Sequence, residues 1–158
     1  MNDRKFSIAH QYDSMQCGIA CLQMVCKYFG RGYSLDSLSK LCFATTEGVS
    51  LLGINEAANT LGLQTTCART TTIMLSEAPL PCILHWNQNH FVVLYKVKKG
   101  KKFYVADPGK GLVTYSLEEF KQHWVSTKSN GEDNGYGLYM LDKELGARVY
   151  TQAAPLAN

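Results

Sequence analysis

A thiol followed by glycine and a helix-forming segment is the feature of this sequence that could do chemistry. In QYDSMQCGIACLQM, residues 11–24, a polar run precedes Cys17, and Gly18 with further apolar residues follows it. The N-terminus of a helix favours negative charge, because its free N–H groups and the positive end of its macrodipole lie there, so a thiol at this position is favoured as a thiolate nucleophile. The alternative is burial in the core, because free cysteine is among the most buried residue types.

Two neighbours of Cys17 could assist it. Gly18 has no side chain, so a substrate backbone could come close to the sulfur. Gln11, six residues upstream, has a side-chain NH₂ that could join a backbone N–H of the helix start in stabilising the oxyanion of a tetrahedral intermediate. The alternative is an ordinary surface glutamine, which is the commoner fate of that residue type. Cys21 and Cys26 lie deeper in the same helix, where the dipole has little effect, and we interpret them as core residues.

A cysteine nucleophile needs a base, and hairpin geometry distinguishes one of the four histidines at 10, 85, 90 and 123. The start of one antiparallel strand lies beside the end of the next. His90 opens HFVVLYKV, Asp107 closes KFYVAD, and their midpoint falls at 98–99 in a Lys/Gly turn. Pairing His85 with Asp107 would put the reversal at Lys96, inside an apolar strand. The sequence therefore predicts that His90 and Asp107 are neighbours within one or two residues of register, close enough for the carboxylate to orient the imidazole. Asp107 could instead merely begin the DPG turn.

Apolar periodicity predicts that the first 65 residues are helical. Helical spacing followed by Gly30 predicts a first helix over about 14–29, since glycine commonly ends helices. Ser34 precedes a second short helix, LDSLSKLC. Ser50 opens a third helix that ends before Gly62, because serine is a favoured N-cap.

The second half of the chain has the pattern of an antiparallel sheet. CILHW, FVVLYKV, KFYVAD and YGLYML are short and rich in β-branched and aromatic residues, as strands are. SLEEFKQHW at 116–124 has a capping serine with glutamate three residues on, so we predict a helix there. SNGEDNG at 129–135 is predicted to be a loop. Segregated helices and strands favour an α+β fold in which an N-terminal helical half packs on a C-terminal antiparallel β-sheet half. With the thiol on one half and the base on the other, this division resembles the papain-like arrangement.

Length and composition limit the class of protein. A chain of 158 residues is the size of one domain, and we assign 1–150 to it and 151–158 to a linker or tail. No apolar run approaches the roughly 20 residues of a membrane-spanning helix, and the N-terminus has no signal-peptide h-region, so we expect a cytosolic setting. The net charge of +3 is too small to indicate nucleic-acid binding, and KVKKGKK at 96–102 is interpreted as a solvated hairpin tip. Six cysteines without a Cys-x-x-Cys pair favour reduced, buried thiols over disulfides or zinc, and no cofactor is expected.

Three motifs together resemble those of the C39 peptidases. The first comprises Gln11, Asp13, Met15, Cys17 and Gly18, with Ala20, Leu22 and Met24 after them. HFVVL at 90–94 and ADPGKG at 106–111 resemble the histidine and aspartate motifs of the same family, in the same order, and the resemblance runs from about residue 8 to 142. One departure is Gln16, where the family often has an acidic residue. Cys17, His90 and Asp107 are all present despite this departure, so it does not imply that the protein is inactive.

The resemblance implies a function. C39 domains typically form the cytosolic N-terminal part of ABC transporters that export bacteriocins and related peptides. It implies cleavage of a precursor's amphipathic helical leader after a double-glycine motif, followed by export. Cys17 would be the nucleophile, His90 the base, Asp107 its orienter and Gln11 the oxyanion donor. The partners would be the precursor peptide and the transporter's membrane and ATP-binding parts, which this chain lacks, so it would be an excised domain or a stand-alone relative. It would lie at the cytoplasmic face of the bacterial membrane, or in the cytoplasm if isolated.

Substrate specificity suggests further residues. A Gly-Gly requirement implies a narrow channel, with Trp86 as a possible wall or, alternatively, a core residue. An amphipathic leader needs an apolar groove, for which Leu51, Leu52 and Ile54 are candidates unless they face the core. The rival functions are a non-catalytic leader-binding module, an acyl transferase or isopeptidase on the same scaffold, and a structural protein.

Overall fold

A computed structural model of the chain describes residues 6–8, 17–42, 50–87, 89–129, 132–142 and 154–155. Three helices come first: α1 (Cys17–Tyr28), α2 (Leu35–Cys42) and α3 (Leu51–Thr60). Gly30 and Gly62, which follow α1 and α3, have φ angles of +83° and +91°, a left-handed conformation that glycine adopts without the steric cost of a Cβ. Ser50 caps α3 by accepting a hydrogen bond from the N–H of Gly53.

In the part of the chain that the structure describes, the sheet contains eight strands, and all their pairings are antiparallel. They are β1 (Leu63–Thr71), β2 (Cys82–Trp86), β3 (His90–Lys98), β4 (Lys102–Asp107), β5 (Gly111–Ser116), β6 (Thr127–Ser129), β7 (Glu132–Asp142) and β8 (Ala154–Pro155). The order is β5-β4-β3-β2-β7-β1-β8, and β6 pairs with β7. The described residues also form two short helices, α4 (Thr72–Leu75) and α5 (Leu117–Trp124).

Hydrophobic cores lie on both faces of this sheet, because side chains alternate along each strand. Ile83 and Val93 belong to a cluster with the buried residues of α1 and α3. Leu84 and Val92 belong to a second cluster with Phe120 and Trp124 of α5. The helical half therefore covers one face of the sheet, and α5 covers the other.

Most predicted elements are confirmed. Helices two and three match, and the first described residue of helix one is Cys17, since 14–16 lie outside the described residues. The capping box of α5 is present, with Ser116 and Glu119 bonded to each other's backbone N–H. The prediction of a purely helical first 65 residues is wrong, because β1 begins at Leu63, and β1 and β5 were not predicted. The loop at 129–135 is also wrong, since β7 already begins at Glu132.

The ends of the chain add one observation and leave one prediction open. Ala154 and Pro155, within the predicted tail, pair with Arg69 and Ala68 of β1. The division into 1–150 and 151–158 stays a prediction.

In the ranges that the structure describes, no helix combines the length and apolarity that crossing a bilayer requires.

Candidate active site

His90 and Asp107 meet at one end of the β3–β4 hairpin. Val93 pairs with Ala106, and the chain reverses between Lys98 and Lys102, which also pair. This register brings the first residue of β3 to the last residue of β4, and Nε2 of His90 lies 2.7 Å from Oδ1 of Asp107. The neighbour relationship predicted from the sequence is confirmed.

The carboxylate of Asp107 also caps the turn that follows it. The backbone N–H of Gly109 donates to Oδ1 over 2.8 Å, so Asp107 both begins the DPG turn and orients His90. Burial raises the pKa of Asp107, but the hydrogen bonds from His90 and Gly109 oppose it, and the net pKa is below its ordinary value. Asp107 is therefore a buried carboxylate, 2% exposed, held ionised by the groups that donate to it.

The imidazole of His90 is held in its charged form. Its hydrogen bond with Asp107 is the main cause that raises its pKa to about 9, a hydrogen bond with the Cys17 side chain adds to this, and burial opposes both. Because Nε2 faces Asp107, Nδ1 is the ring nitrogen available to the sulfur. A protonated imidazole beside a thiol favours the thiolate.

Cys17 reaches this ring from the helical half. It is the first residue of α1 and is 5% exposed, and the first turn of a helix has N–H groups without intrahelical partners. Phe91 of β3 packs against Gly18, which brings the start of α1 beside the start of β3. Thiol, imidazole and carboxylate are thus neighbours: the thiol raises the pKa of the ring, and the ring is bonded to the carboxylate.

The other thiols lie in different environments. Burial, followed by the charges of Cys17 and Asp107, raises the pKa of Cys21. Burial likewise raises the pKa of Cys26 to about 12 and places that of Cys82 well above its ordinary value. All six cysteines are free thiols. The interpretation of Cys21 and Cys26 as core residues is confirmed, since both are fully buried.

Gly18 serves packing, which corrects our expectation that it admits a substrate. A Cβ at this position would stand 2.9 Å from Cδ1 of Ile54 and 3.4 Å from Cδ2 of Phe91. The space beside Gly18 is therefore filled by α3 and β3, and glycine is needed so that these elements can approach α1.

Trp86 is a core residue, and its suggested role as a channel wall is not retained. The side chain is 1% exposed and packs against Tyr115, Phe120 and His123 on the α5 side of the sheet. A substrate would find no indole surface to contact.

The three residues suggested for a leader-binding groove, Leu51, Leu52 and Ile54, differ in their burial. Ile54 is fully buried in the core shared with α1, so its suggested place in a surface groove is wrong and the core alternative is correct. Leu51 is half-buried against the same core. Leu52 is 61% exposed. Gln11 lies outside the described residues.

Tyr115 lies near the site and was not predicted. It is 7% exposed, and its pKa is raised by burial and then by the negative charge of Asp107. Its strand, β5, was not recognised in the sequence, so no signal there pointed to it.

Within the described ranges, no group of three or more His, Cys, Asp or Glu side chains is arranged to hold a metal ion.

Comparison with known proteins agrees with this geometry. The model of the peptidase C39 family matches residues 5–128. The colicin V secretion/processing ATP-binding protein of Escherichia coli is 36% identical over 122 residues, which are 77% of this chain and 17% of that protein. The lactococcin-G-processing and transport ATP-binding protein of Lactococcus lactis subsp. lactis is 33% identical over 124 residues, 75% of this chain and 18% of the relative. The chain thus spans about a sixth of the length of these curated relatives.

Two solved structures are similar over most of the chain. A double glycine motif protease from an AMS/PCAT transporter, in complex with the leader peptide, has a TM-score of 0.75 and 33% identity over 86% of this chain and 91% of its own. The peptidase domain of Streptococcus ComA has a TM-score of 0.73 and 25% identity over 86% of this chain and 98% of its own. The α+β, papain-like fold predicted from the sequence is confirmed. Because the family model covers most of the sequence, this chain belongs to the peptidase C39 family.

Proposed function

We propose that this chain is a cysteine endopeptidase that cleaves a precursor peptide after a double-glycine motif and so releases its leader. One observation carries the proposal: Nε2 of His90 lies 2.7 Å from Oδ1 of Asp107, and the side chain of Cys17 acts on the same ring and raises its pKa, so that nucleophile, base and orienting carboxylate are neighbours. The similar structure described as a double glycine motif protease in complex with the leader peptide supports the substrate class.

Acylation follows from this geometry. Asp107 accepts the Nε2–H of His90 and keeps Nδ1 directed to Cys17, and in the resting thiolate–imidazolium pair Nδ1 already carries the proton of the thiol. The sulfur of Cys17 attacks the carbonyl carbon of the scissile bond, and the electron pair of the C=O bond moves to oxygen. Backbone N–H groups of the first turn of α1 stabilise this oxyanion, and we assign the second donor to the side chain of Gln11.

Release of the amine completes acylation, and deacylation then uses the same groups. The imidazolium of His90 gives its proton to the amide nitrogen, the C–N bond breaks and the amine product leaves, so the leader remains as a thioester on Cys17. His90 then takes a proton from water, whose oxygen attacks the thioester carbon. The carboxylate product and the free thiol are released.

Apolar surface at the start of α3 is proposed to hold the leader. Ile54 packs against Gly18, so the first turn of α3 lies beside the nucleophile. Leu52 is exposed on this turn, and Leu51 is half-buried. An amphipathic helix binds such a surface through its apolar face.

The partners and location follow from the relatives. Both curated relatives named above are secretion or transport ATP-binding proteins, of which this chain matches about a sixth. We propose that it acts with the membrane and ATP-binding domains of an ABC transporter, on the cytoplasmic face of the membrane, and processes a bacteriocin-like peptide before export.

A cleavage and binding assay tests the function. A synthetic precursor with a helical leader ending in Gly-Gly is incubated with the protein and with Cys17→Ala, and products are identified by mass spectrometry. We expect cleavage after Gly-Gly by the parent chain alone, and equal leader binding by both proteins in a fluorescence titration. Glycine to alanine in the peptide next to the bond should stop cleavage. Equal cleavage of both peptides contradicts the leader-peptidase assignment, and binding without cleavage by the parent chain indicates a non-catalytic leader-binding module.

A further inference from the structure

The turn that leads into His90 is tied to the end of α5. Asn87, directly after β2, donates its backbone N–H to the carbonyl oxygen of His123 over 2.9 Å. Its side-chain Oδ1 lies 2.9 Å from Nδ1 of His123. The φ angle of Asn87 is +49°, a left-handed conformation that asparagine tolerates better than most residues. Two bonds to one residue of α5 thus hold the turn in this conformation.

The ring of His123 also holds the strand partner of His90. It stacks on Trp86, with ring centroids 5.0 Å apart and an interplanar angle of 12°. Trp86 pairs with His90 across β2 and β3. His123 therefore contacts the residue opposite the proposed base as well as the first residue of the turn before it.

The same aromatic cluster approaches the orienting carboxylate. Tyr115 packs against His123, with ring centroids 5.3 Å apart, and the charge of Asp107 acts on the phenol of Tyr115. The cluster formed by Trp86, Tyr115 and His123, here called the aromatic clamp, is thus linked to His90 through the strand pairing of Trp86 and to Asp107 through Tyr115.

We propose that His123 is a positioning residue, which fixes Asn87 and the aromatic clamp and thereby holds the His90 ring in line with Asp107 and Cys17. The inference rests on the proposed function, because the orientation of the ring affects cleavage only if His90 is the base. His90 is the first residue of its strand, where the hydrogen-bond ladder holds a residue least. A displacement of about 1 Å in a catalytic group can cost up to about 100-fold in rate, so the turn before the base needs such a support.

Matched substitutions separate the bond from the stacking and from backbone conformation. His123→Phe keeps an aromatic ring on Trp86 but removes the Nδ1 atom. Asn87→Gly keeps the positive φ but removes the acceptor, whereas Asn87→Asp keeps an acceptor for Nδ1–H. We expect roughly tenfold lower kcat on the double-glycine peptide for His123→Phe and Asn87→Gly, with KM unchanged. Asn87→Asp should retain most of the activity.

A second measurement needs no peptide substrate. The rate of alkylation of Cys17 by iodoacetamide reports on its pairing with His90, and it should fall in His123→Phe and Asn87→Gly by the same factor as kcat. The control is Ser116→Ala, which removes the N-cap of α5 without touching Asn87. This variant should unfold at a lower temperature with kcat and alkylation unchanged.

The outcomes separate this inference from the proposed function. Parent-like kcat and alkylation in both His123→Phe and Asn87→Gly overturn the positioning role, as does an equal loss in Ser116→Ala. If no double-glycine peptide is cleaved but alkylation of Cys17 still depends on His123 and Asn87, the proposed function fails and the positioning of His90 stands.

Discussion

His90 and Asp107 are joined by a 2.7 Å hydrogen bond although they are not opposite one another in the sheet. Val93 pairs with Ala106, so continuing this register places Val92 opposite Asp107, with His90 two residues away. Residues two apart along a strand share a face, and such diagonal neighbours are within reach of long side chains. The offset lets the imidazole extend toward the carboxylate from the side and leaves its second nitrogen for Cys17.

Asp107→Asn should lower the pKa of His90 and weaken the fold in a pH-dependent way. The pKa of His90 is about 9 instead of its ordinary 6.5, mainly through the hydrogen bond with Asp107, so the protonated ring stabilises the folded state. This stabilisation is complete below about pH 6.5 and is lost as the pH rises to about 9. We expect the His90 pKa to move toward 6.5 in an NMR titration of the variant. Its loss in free energy of unfolding should be largest near pH 6 and smallest near pH 9.

The control for this prediction is Asp36→Asn. Asp36 pairs with Lys40 on α2, but both side chains are about four-fifths exposed, and exposed ion pairs contribute little to stability. Denaturant unfolding of Asp36→Asn should differ little from the parent at every pH. A loss for Asp107→Asn that is the same at pH 6 and pH 9 would contradict the role of charged His90.

Cys17 should be the fast-reacting thiol of the chain. Burial raises the pKa of Cys42 to about 11 and that of Cys67 to about 11, so few of these thiols are ionised near pH 7.5, whereas Cys17 lies beside the imidazole of His90 and raises its pKa. Limited iodoacetamide labelling followed by peptide mapping should find Cys17 modified roughly tenfold faster than any other cysteine. His90→Ala should remove this advantage. Uniform labelling of the six cysteines would argue against an activated thiol.

The sequence predicted the site better than it predicted the whole sheet. The His90–Asp107 contact depended on where one hairpin reverses, and a Lys/Gly turn marks that point: Lys99 and Gly100 have φ angles of +54° and +65°. This signal is local, so the chain's own turn chemistry specified it.

The missed elements depend on distant partners. LQTTCARTT, the sequence of β1, is mostly polar and half-buried, and it becomes a strand through its pairing with β7 across nine residues. Gly18 was misinterpreted for a similar reason, because its neighbours Ile54 and Phe91 come from other elements. Tertiary contacts of this kind leave no periodic signal in one segment.

Gly135→Ala should destabilise the fold, because the side chain of Trp124 fills the space that a Cβ at this position of β7 would need. An added Cβ would stand 2.3 Å from the indole ring, which is buried and donates a hydrogen bond to the carbonyl oxygen of Tyr136. Overpacking of this kind costs about 1–3 kcal/mol. The control is Gly32→Ala, since nothing lies within 4 Å of a Cβ there. Urea unfolding of both variants tests the prediction, and equal stability of the two would contradict it.

A double-mutant cycle on Gly18 and Ile54 distinguishes packing from substrate access. Gly18→Ala brings a Cβ to 2.9 Å from Cδ1 of Ile54, which should destabilise the fold by about 1–3 kcal/mol. Ile54→Val alone costs about 0.5–1.5 kcal/mol for its lost methyl group. The same methyl group is the one that obstructs the new Cβ, so the double variant should be more stable than the sum of the single losses by at least about 0.5 kcal/mol. Urea unfolding of the four proteins measures this coupling. Strict additivity, together with a raised KM in a stable Gly18→Ala, would show instead that Gly18 makes room for substrate.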